Sequence, residues 1–264
     1  MSIVFLARHE VKAQTDSTKR NQSIYLGTGY RQFYSRDQLM SPLIYEGAGM
    51  PLTMGYHSEG IKNTHRVDIL FQSKQLTSAA TIEYFGSLIA NYMDIINGEL
   101  TYSYLHKINS SKSRDFRMGG SFKNFIVFKD VKYVGHNALT VDMFSSLNID
   151  ILYSIAVFKK QLSFELSYPV LSYVIGRAIS NGSPPVNLLE SDIDSFETGA
   201  VLASGDFMSV KGFVDFNFVV SYNLVSSDHI NMDFQYRFQY YQYDKLPPVK
   251  TGIHAYVLSF SYQF

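Results

Sequence analysis

Cysteine is absent from the 264 residues, so neither a disulfide nor a thiolate metal site holds this chain together. Tryptophan is absent too, and the aromatic content falls entirely to 20 Tyr and 20 Phe. Neither sign of charge is in excess: Lys plus Arg and Asp plus Glu each number 23. That balance excludes the overall basic field that draws a protein to nucleic acid. No apolar run approaches the roughly 18 residues that a membrane-crossing helix needs. Heptads and sustained 3.6-residue periodicity are missing as well, so no helical domain or linker is expected.

What the chain does have is alternation. Its last residues read HAYVLSFSYQF. Tyr256, Leu258, Phe260, Tyr262 and Phe264 fall on one face of a strand, and Ala255, Val257, Ser259, Ser261 and Gln263 on the other. The same period of two runs through Val214 to Leu224, with Asp215, Asn217 and Ser221 opposite. It returns in Ile230 to Tyr240, opposed by Asn231, Asp233, Gln235, Arg237 and Gln239. Five consecutive polar residues on one strand face are foreign to a soluble core. A strand that runs to the last residue must be paired on both sides, which points to a closed sheet.

Read along the chain, this pattern predicts strands near 22–35, 43–58, 64–76, 98–107, 114–128, 144–158, 162–178, 208–224, 229–243 and 251–264. The fold class is therefore all-β, an antiparallel up-and-down transmembrane barrel of ten strands. Twelve is the alternative if 77–97 or 179–207 hides a hairpin. Short connections (59–63, 108–113, 159–161, 225–228) alternate with longer ones (36–42, 77–97, 129–143, 179–207, 244–250), and an even count leaves both termini on the short-turn side. Residues 1–21 read as a signal-peptide remnant or flexible leader, with small residues placed for a cut after Ala13. Residues 22–264 form the barrel domain.

Residues 22–264, and above all the terminal YVLSFSYQF, resemble Gram-negative outer-membrane β-barrel proteins. Their Tyr- and Phe-rich style is most similar to barrels of Bacteroidota. The resemblance implies an outer-membrane location in a Gram-negative bacterium and contact with outer-membrane lipid and lipopolysaccharide. It also implies recognition of Tyr256, Leu258, Phe260, Tyr262 and Phe264 by the barrel-assembly machinery. Closure of the sheet would leave no edge exposed to lipid, and the predicted strands are long for a soluble β-sandwich.

Two strings invite an enzymatic reading. Tyr56-His57-Ser58-Glu59-Gly60 is the nearest approach to the His-Ser clusters of outer-membrane phospholipases. Alternation turns His57 and Glu59 inward and Ser58 outward, so His57 and Ser58 are no nucleophile–base pair. His254, outward near the loop-side end of the last strand, is a candidate for contact with lipopolysaccharide phosphates. The Gly-bearing strings LGTGY and RMGGSF lack the Lys-Ser/Thr of a phosphate loop. His57, Glu59, Arg66 and Asp68 are expected to form a charged cluster across one hairpin of the lumen, with Asp150, Glu165, Asp215, Asp233 and Arg237 extending the polar interior. No catalytic residue, metal site or cofactor is assigned.

The functional expectation is a non-enzymatic outer-membrane barrel, either a narrow channel or a partner subunit of a larger envelope complex. The alternative is an outer-leaflet lipid-modifying enzyme, a phospholipase or a modifier of lipid A. A narrow lumen crowded with Arg31, Arg66, Arg237 and several carboxylates argues against a general porin.

Overall fold

The computed structural model describes residues 21–264, apart from 39–40, 42, 85–86, 112, 134–135, 159, 182–204, 228 and 244–247. The expected leader, except for Asn21, and most of the expected loop 179–207 lie outside the described residues. Every regular element is a strand: β1 (Asn21–Asp37), β2 (Ile44–Gly49), β3 (Leu52–Glu59), β4 (Asn63–Tyr84), β5 (Ser87–Ser110) and β6 (Arg114–Tyr133), then β7 (His136–Val157), β8 (Lys160–Asn181), β9 (Asp206–Ser209), β10 (Phe213–Ser226), β11 (Ile230–Tyr243) and β12 (Val249–Gln263).

Strands pair antiparallel around the ring, with β2 and β3 sharing one place in it and β9 and β10 another, and the sheet closes on itself where β1 meets β12, from Ser23 opposite Gln263 to Asp37 opposite Val249. The final backbone N–H, that of Phe264, donates to the Gln22 carbonyl at 3.0 Å. A terminal strand flanked on both sides has no loose edge to fray. Both described ends, Asn21 and Phe264, lie at the end of the ring that also carries Gly60, Ser111 and Ser227; we call this the terminal end and the opposite one the distal end.

Among the described residues twelve strands form, where the alternation predicts ten, and neither extra strand there comes from a hidden hairpin. β2 and β3 both lie between β1 and β4, one above the other, so Met50-Pro51 merely interrupts a single course of the ring. Proline has no N–H to give the ladder. β9 and β10 both pair with β8 and are parted by the turn in which the Gly212 N–H donates to the Ser209 carbonyl. Two expected loops are also corrected. Residues 77–84 and 87–97 continue β4 and β5, and residues 129–133 and 136–143 continue β6 and β7.

Those continuations make one side of the ring tall. A 22-residue strand such as β4 is about 70 Å long at about 3.3 Å per residue. Tilted by roughly 40°, it rises about 55 Å, twice the apolar band of an outer-membrane barrel. The outward faces show where that band lies. Leu26, Leu52, Phe71, Leu100, Ile149 and Phe260 stand exposed. On β4 the outward series then turns polar at Ser73 and Gln75.

Inward positions divide into two storeys. Toward the distal end they form an apolar core: Phe33, Tyr45, Leu76, Met93, Ile95, Phe125, Phe144, Phe213, Tyr241 and Ile253 are buried together. Toward the terminal end they are polar and surround a cavity of about 240 Å³.

Candidate functional site

The polar cavity is built by alternation. Each strand contributes every second side chain, and the antiparallel register decides which meet. His57 lies opposite Arg66 across the β3–β4 ladder, and Asp68 follows two residues on along the same face. His57, Arg66 and Asp68 all line the cavity. Their strongest partner comes from elsewhere. Glu165 on β8 accepts from both Arg66 Nη1, at 2.7 Å, and Arg66 Nη2, whereas Arg66 Nε stands 3.8 Å from Asp68. Asp68 instead accepts a 2.7 Å hydrogen bond from the Tyr25 hydroxyl.

Glu59 is not part of this cluster. It pairs with Arg117 of β6, which also donates from Nη2 to Asp115 at 2.6 Å, and Lys107 stands 3.4 Å from Asp115. Arg117 further donates to the Thr64 hydroxyl. Glu59 is the last residue of β3 and lies opposite Thr64, one inward step nearer the terminal end than the His57–Arg66 pair. The result is a separate charged collar at the terminal mouth.

A third layer forms the cavity ceiling. Lys123 Nζ lies 2.8 Å from Asp215 and 3.5 Å from Glu99, bridging β6 to β10 and β5. Asp215 also accepts from Gln239, and Gln239 in turn accepts from Arg31 Nη2 at 3.3 Å. Above this layer the lumen is filled by rings. Phe125 stacks on Phe144 at 4.7 Å between centroids, and Tyr241 meets both at 5.6 and 5.5 Å. Phe213 closes on Phe144 at 4.9 Å. Higher still, Lys129 Nζ sits 2.7 Å from Asp37 and pairs with Asp142, to which the Tyr243 hydroxyl donates at 2.8 Å. These buried charges carry partners, as burial demands.

Lys129, Asp37, Asp142 and the aromatic layer are the parts that sequence reasoning missed. The 129–143 stretch reads as a loop when only its outward face is followed, although Val127, Lys129 and Val131 continue the inward series.

On the outer wall, Ser58 points away from the lumen, one position beyond inward His57, and the two form no nucleophile–base pair. His254 belongs to an aromatic girdle. Its Nδ1 lies 2.8 Å from the Tyr236 hydroxyl, and its ring packs at 5.0 Å on Phe238 and edge-on to Tyr34 at 6.3 Å. Among the described residues, no group of three His, Asp or Glu is placed to hold a metal ion.

No protein-family model and no curated protein matches this sequence. Solved structures do match. The outer membrane protease OmpT from Escherichia coli superposes with a TM-score of 0.56 and 7% identity, over 94% of this chain and 98% of that one. The translocator domain of autotransporter NalP from Neisseria meningitidis follows, with a TM-score of 0.45, 10% identity and coverage of 95% and 90%. The attachment invasion locus protein Ail of Yersinia pestis gives 0.37, 11%, 92% and 99%. The first likeness shows the fold: a closed, antiparallel, up-and-down sheet of the kind solved for outer-membrane proteins.

Proposed function

We propose that the chain is a β-barrel of the outer membrane of a Gram-negative bacterium. In this reading it is a closed, non-enzymatic partner subunit of a larger envelope complex. The observation that carries this is the two-storey lumen: a polar chamber capped by Phe33, Phe125, Phe144, Phe213 and Tyr241, each about 1% exposed. Such packing is as dense as a protein core, and ions do not cross it while it stands. The outward face supports the membrane location. An exposed belt of Leu, Ile and Phe encircling a polar interior reverses the arrangement of a soluble protein, and burying it in lipid recovers about 25 cal/mol per Å². Outer-membrane lipid and lipopolysaccharide are the partners proposed for that belt, and the barrel-assembly machinery for the strand ending at Phe264. A Bacteroidota origin is part of the proposal and rests on the Tyr- and Phe-rich style alone.

A second reading, the narrow channel, is favoured by the charged chamber itself, which a displaced aromatic layer would connect to the distal side. The lipid-modifying enzyme has less support, because Ser58 and His57 diverge and His254 is occupied by Tyr236. Planar-bilayer recording of the purified protein separates the readings. The closed subunit gives no steady conductance, with gel mobility that changes on boiling. Ohmic conductance of the unaltered protein would install the channel reading. Fractionation as a soluble protein would remove the barrel, and lipid hydrolysis abolished by His254→Ala would establish the enzyme.

A further inference from the structure

Between the chamber ceiling, to which Arg31 belongs, and the aromatic layer lies a further group of polar side chains. Arg31 and Lys74 approach the same ring: Arg31 Cζ is 4.7 Å and Lys74 Nζ 2.6 Å from the Phe33 centroid. Arg31 is the register partner of Gly49, and a Cβ at Gly49 would stand only 2.8 Å from Gln72 Nε2 and 3.0 Å from Lys74 Cβ. Glycine at that point lets Gln72 and Lys74 come close to the Arg31 strand. Asn97 completes the group as the partner of Gln72 across the β4–β5 ladder.

All four side chains are at least nine-tenths buried. Yet Arg31 Nη1, Lys74 Nζ, both amide atoms of Gln72 and both of Asn97 have no hydrogen-bond partner in the structure. Four orphaned donors and two orphaned amide oxygens in one group are foreign to a finished core, since each costs about 1–3 kcal/mol.

Their charge balance has a sign. Arg31 and Lys123 are joined through Gln239 to the carboxylates Asp215 and Glu99, whereas Lys74 Nζ has neither a carboxylate nor a hydrogen-bond partner among the described residues. Lys74 sits above the apolar belt of β4, which ends at Phe71. There, burial first and the Arg31 charge second lower its ammonium to about 5. An anion beside it reverses that and keeps the proton in place.

The geometry points to a buried site for one small monovalent inorganic anion, of the halide class, held by Arg31, Lys74, Gln72 and Asn97. Its size follows from the surroundings: the chamber reaches Arg31 and Leu70, while Gln72, Lys74 and Asn97 lie behind its lining. Entry is therefore from the chamber past Arg31. This inference is independent of whether the barrel conducts.

The test uses the full chain in detergent, with bromide as the probe. Crystals soaked in bromide should show an anomalous peak within contact distance of both Arg31 and Lys74. Replacing gluconate by bromide at constant ionic strength should raise the melting temperature, and Lys74→Met should abolish that rise while the exposed-turn variant Lys211→Met retains it. Density at the site without anomalous signal would identify water and overturn the proposal. So would an equal bromide response in Lys74→Met and the unaltered protein. Because the anomalous measurement needs no variant, a Lys74→Met chain that fails to fold still leaves the site tested.

Discussion

Arg66 and Glu165 stand 99 positions apart in sequence and face each other across the lumen, the carboxylate accepting from two guanidinium nitrogens. Side chains that pair in this way tie β4 to β8, strands that share no ladder. The pair is about one-fifth exposed on each side, so the chamber screens it in part. Removing one member of a buried pair costs about 3–5 kcal/mol, and chamber water brings Arg66→Ala toward the lower end of that range. Urea unfolding in lipid vesicles measures it. The double variant Arg66→Ala/Glu165→Ala should cost less than the sum of the singles, the coupling expected of direct partners.

The upper ion triad should be the more sensitive one. Lys129, Asp37 and Asp142 are all within 2% of full burial, so no solvent relieves a missing partner. Lys129→Met leaves two carboxylates without their shared counter-charge and should cost at least as much as Arg66→Ala. Adding Asp142→Asn should restore part of the loss. Tyr243→Phe removes a single donor from Asp142 and should cost about 1–2 kcal/mol. The same unfolding curves rank the variants, and a Lys129→Met barrel as stable as its parent would deny the triad its role.

The aromatic layer gives the functional counterpart. Phe125→Ala with Phe144→Ala empties the centre of the stack. Each truncation costs about 3–5 kcal/mol if the space does not refill. Single-channel recording should then detect current that the parent lacks. A silent double variant that remains folded by heat-shift electrophoresis would show that the closure lies elsewhere.

Much of this was legible in the sequence, and the illegible part has a common cause. Period two identified the inward and outward faces from β1 to β12, including His57 in and Ser58 out. It counted ten strands because it follows side chains and not the backbone ladder. The break at Pro51 leaves the alternation intact from Tyr45 through Thr53, and so does not announce itself. The upper reaches of β4 to β7 were read as loops because their outward residues become polar where the belt ends, as at Gln75, Asp94 and Asp130. Around Phe125-Ile126-Val127-Phe128 both faces are apolar, which erases the parity signal where the internal core begins. Partners across the lumen, such as Arg66 with Glu165 or Lys123 with Asp215, depend on how the ring closes. No single strand encodes that.

Assembly should depend on the terminal residue. The Phe264 N–H donates to Gln22 at the seam between first and last strands, and its ring continues the outward series of Tyr262 and Phe260. Deleting Phe264 should lower the yield of heat-modifiable protein in membranes far more than Lys211→Ala, which alters an exposed turn. Equal yields would remove the residue from the assembly signal.

The membrane belt itself makes the last prediction, through position alone. Ile149 is outward and 46% exposed, inside the apolar series that runs from Ile155 to Leu147 on β7. Ser73 is outward and exposed on β4 just past Phe71, where that series has ended. Arginine at the middle of a lipid-facing belt costs about 2–4 kcal/mol, and near the interface about 0–1 kcal/mol. Ile149→Arg should therefore lower unfolding stability in vesicles by several times the effect of Ser73→Arg. In detergent micelles, which deform around a charge, the gap should shrink. If Ile149→Arg is tolerated in lipid as well as Ser73→Arg, the exposed belt does not face hydrocarbon and the outer-membrane reading falls with it.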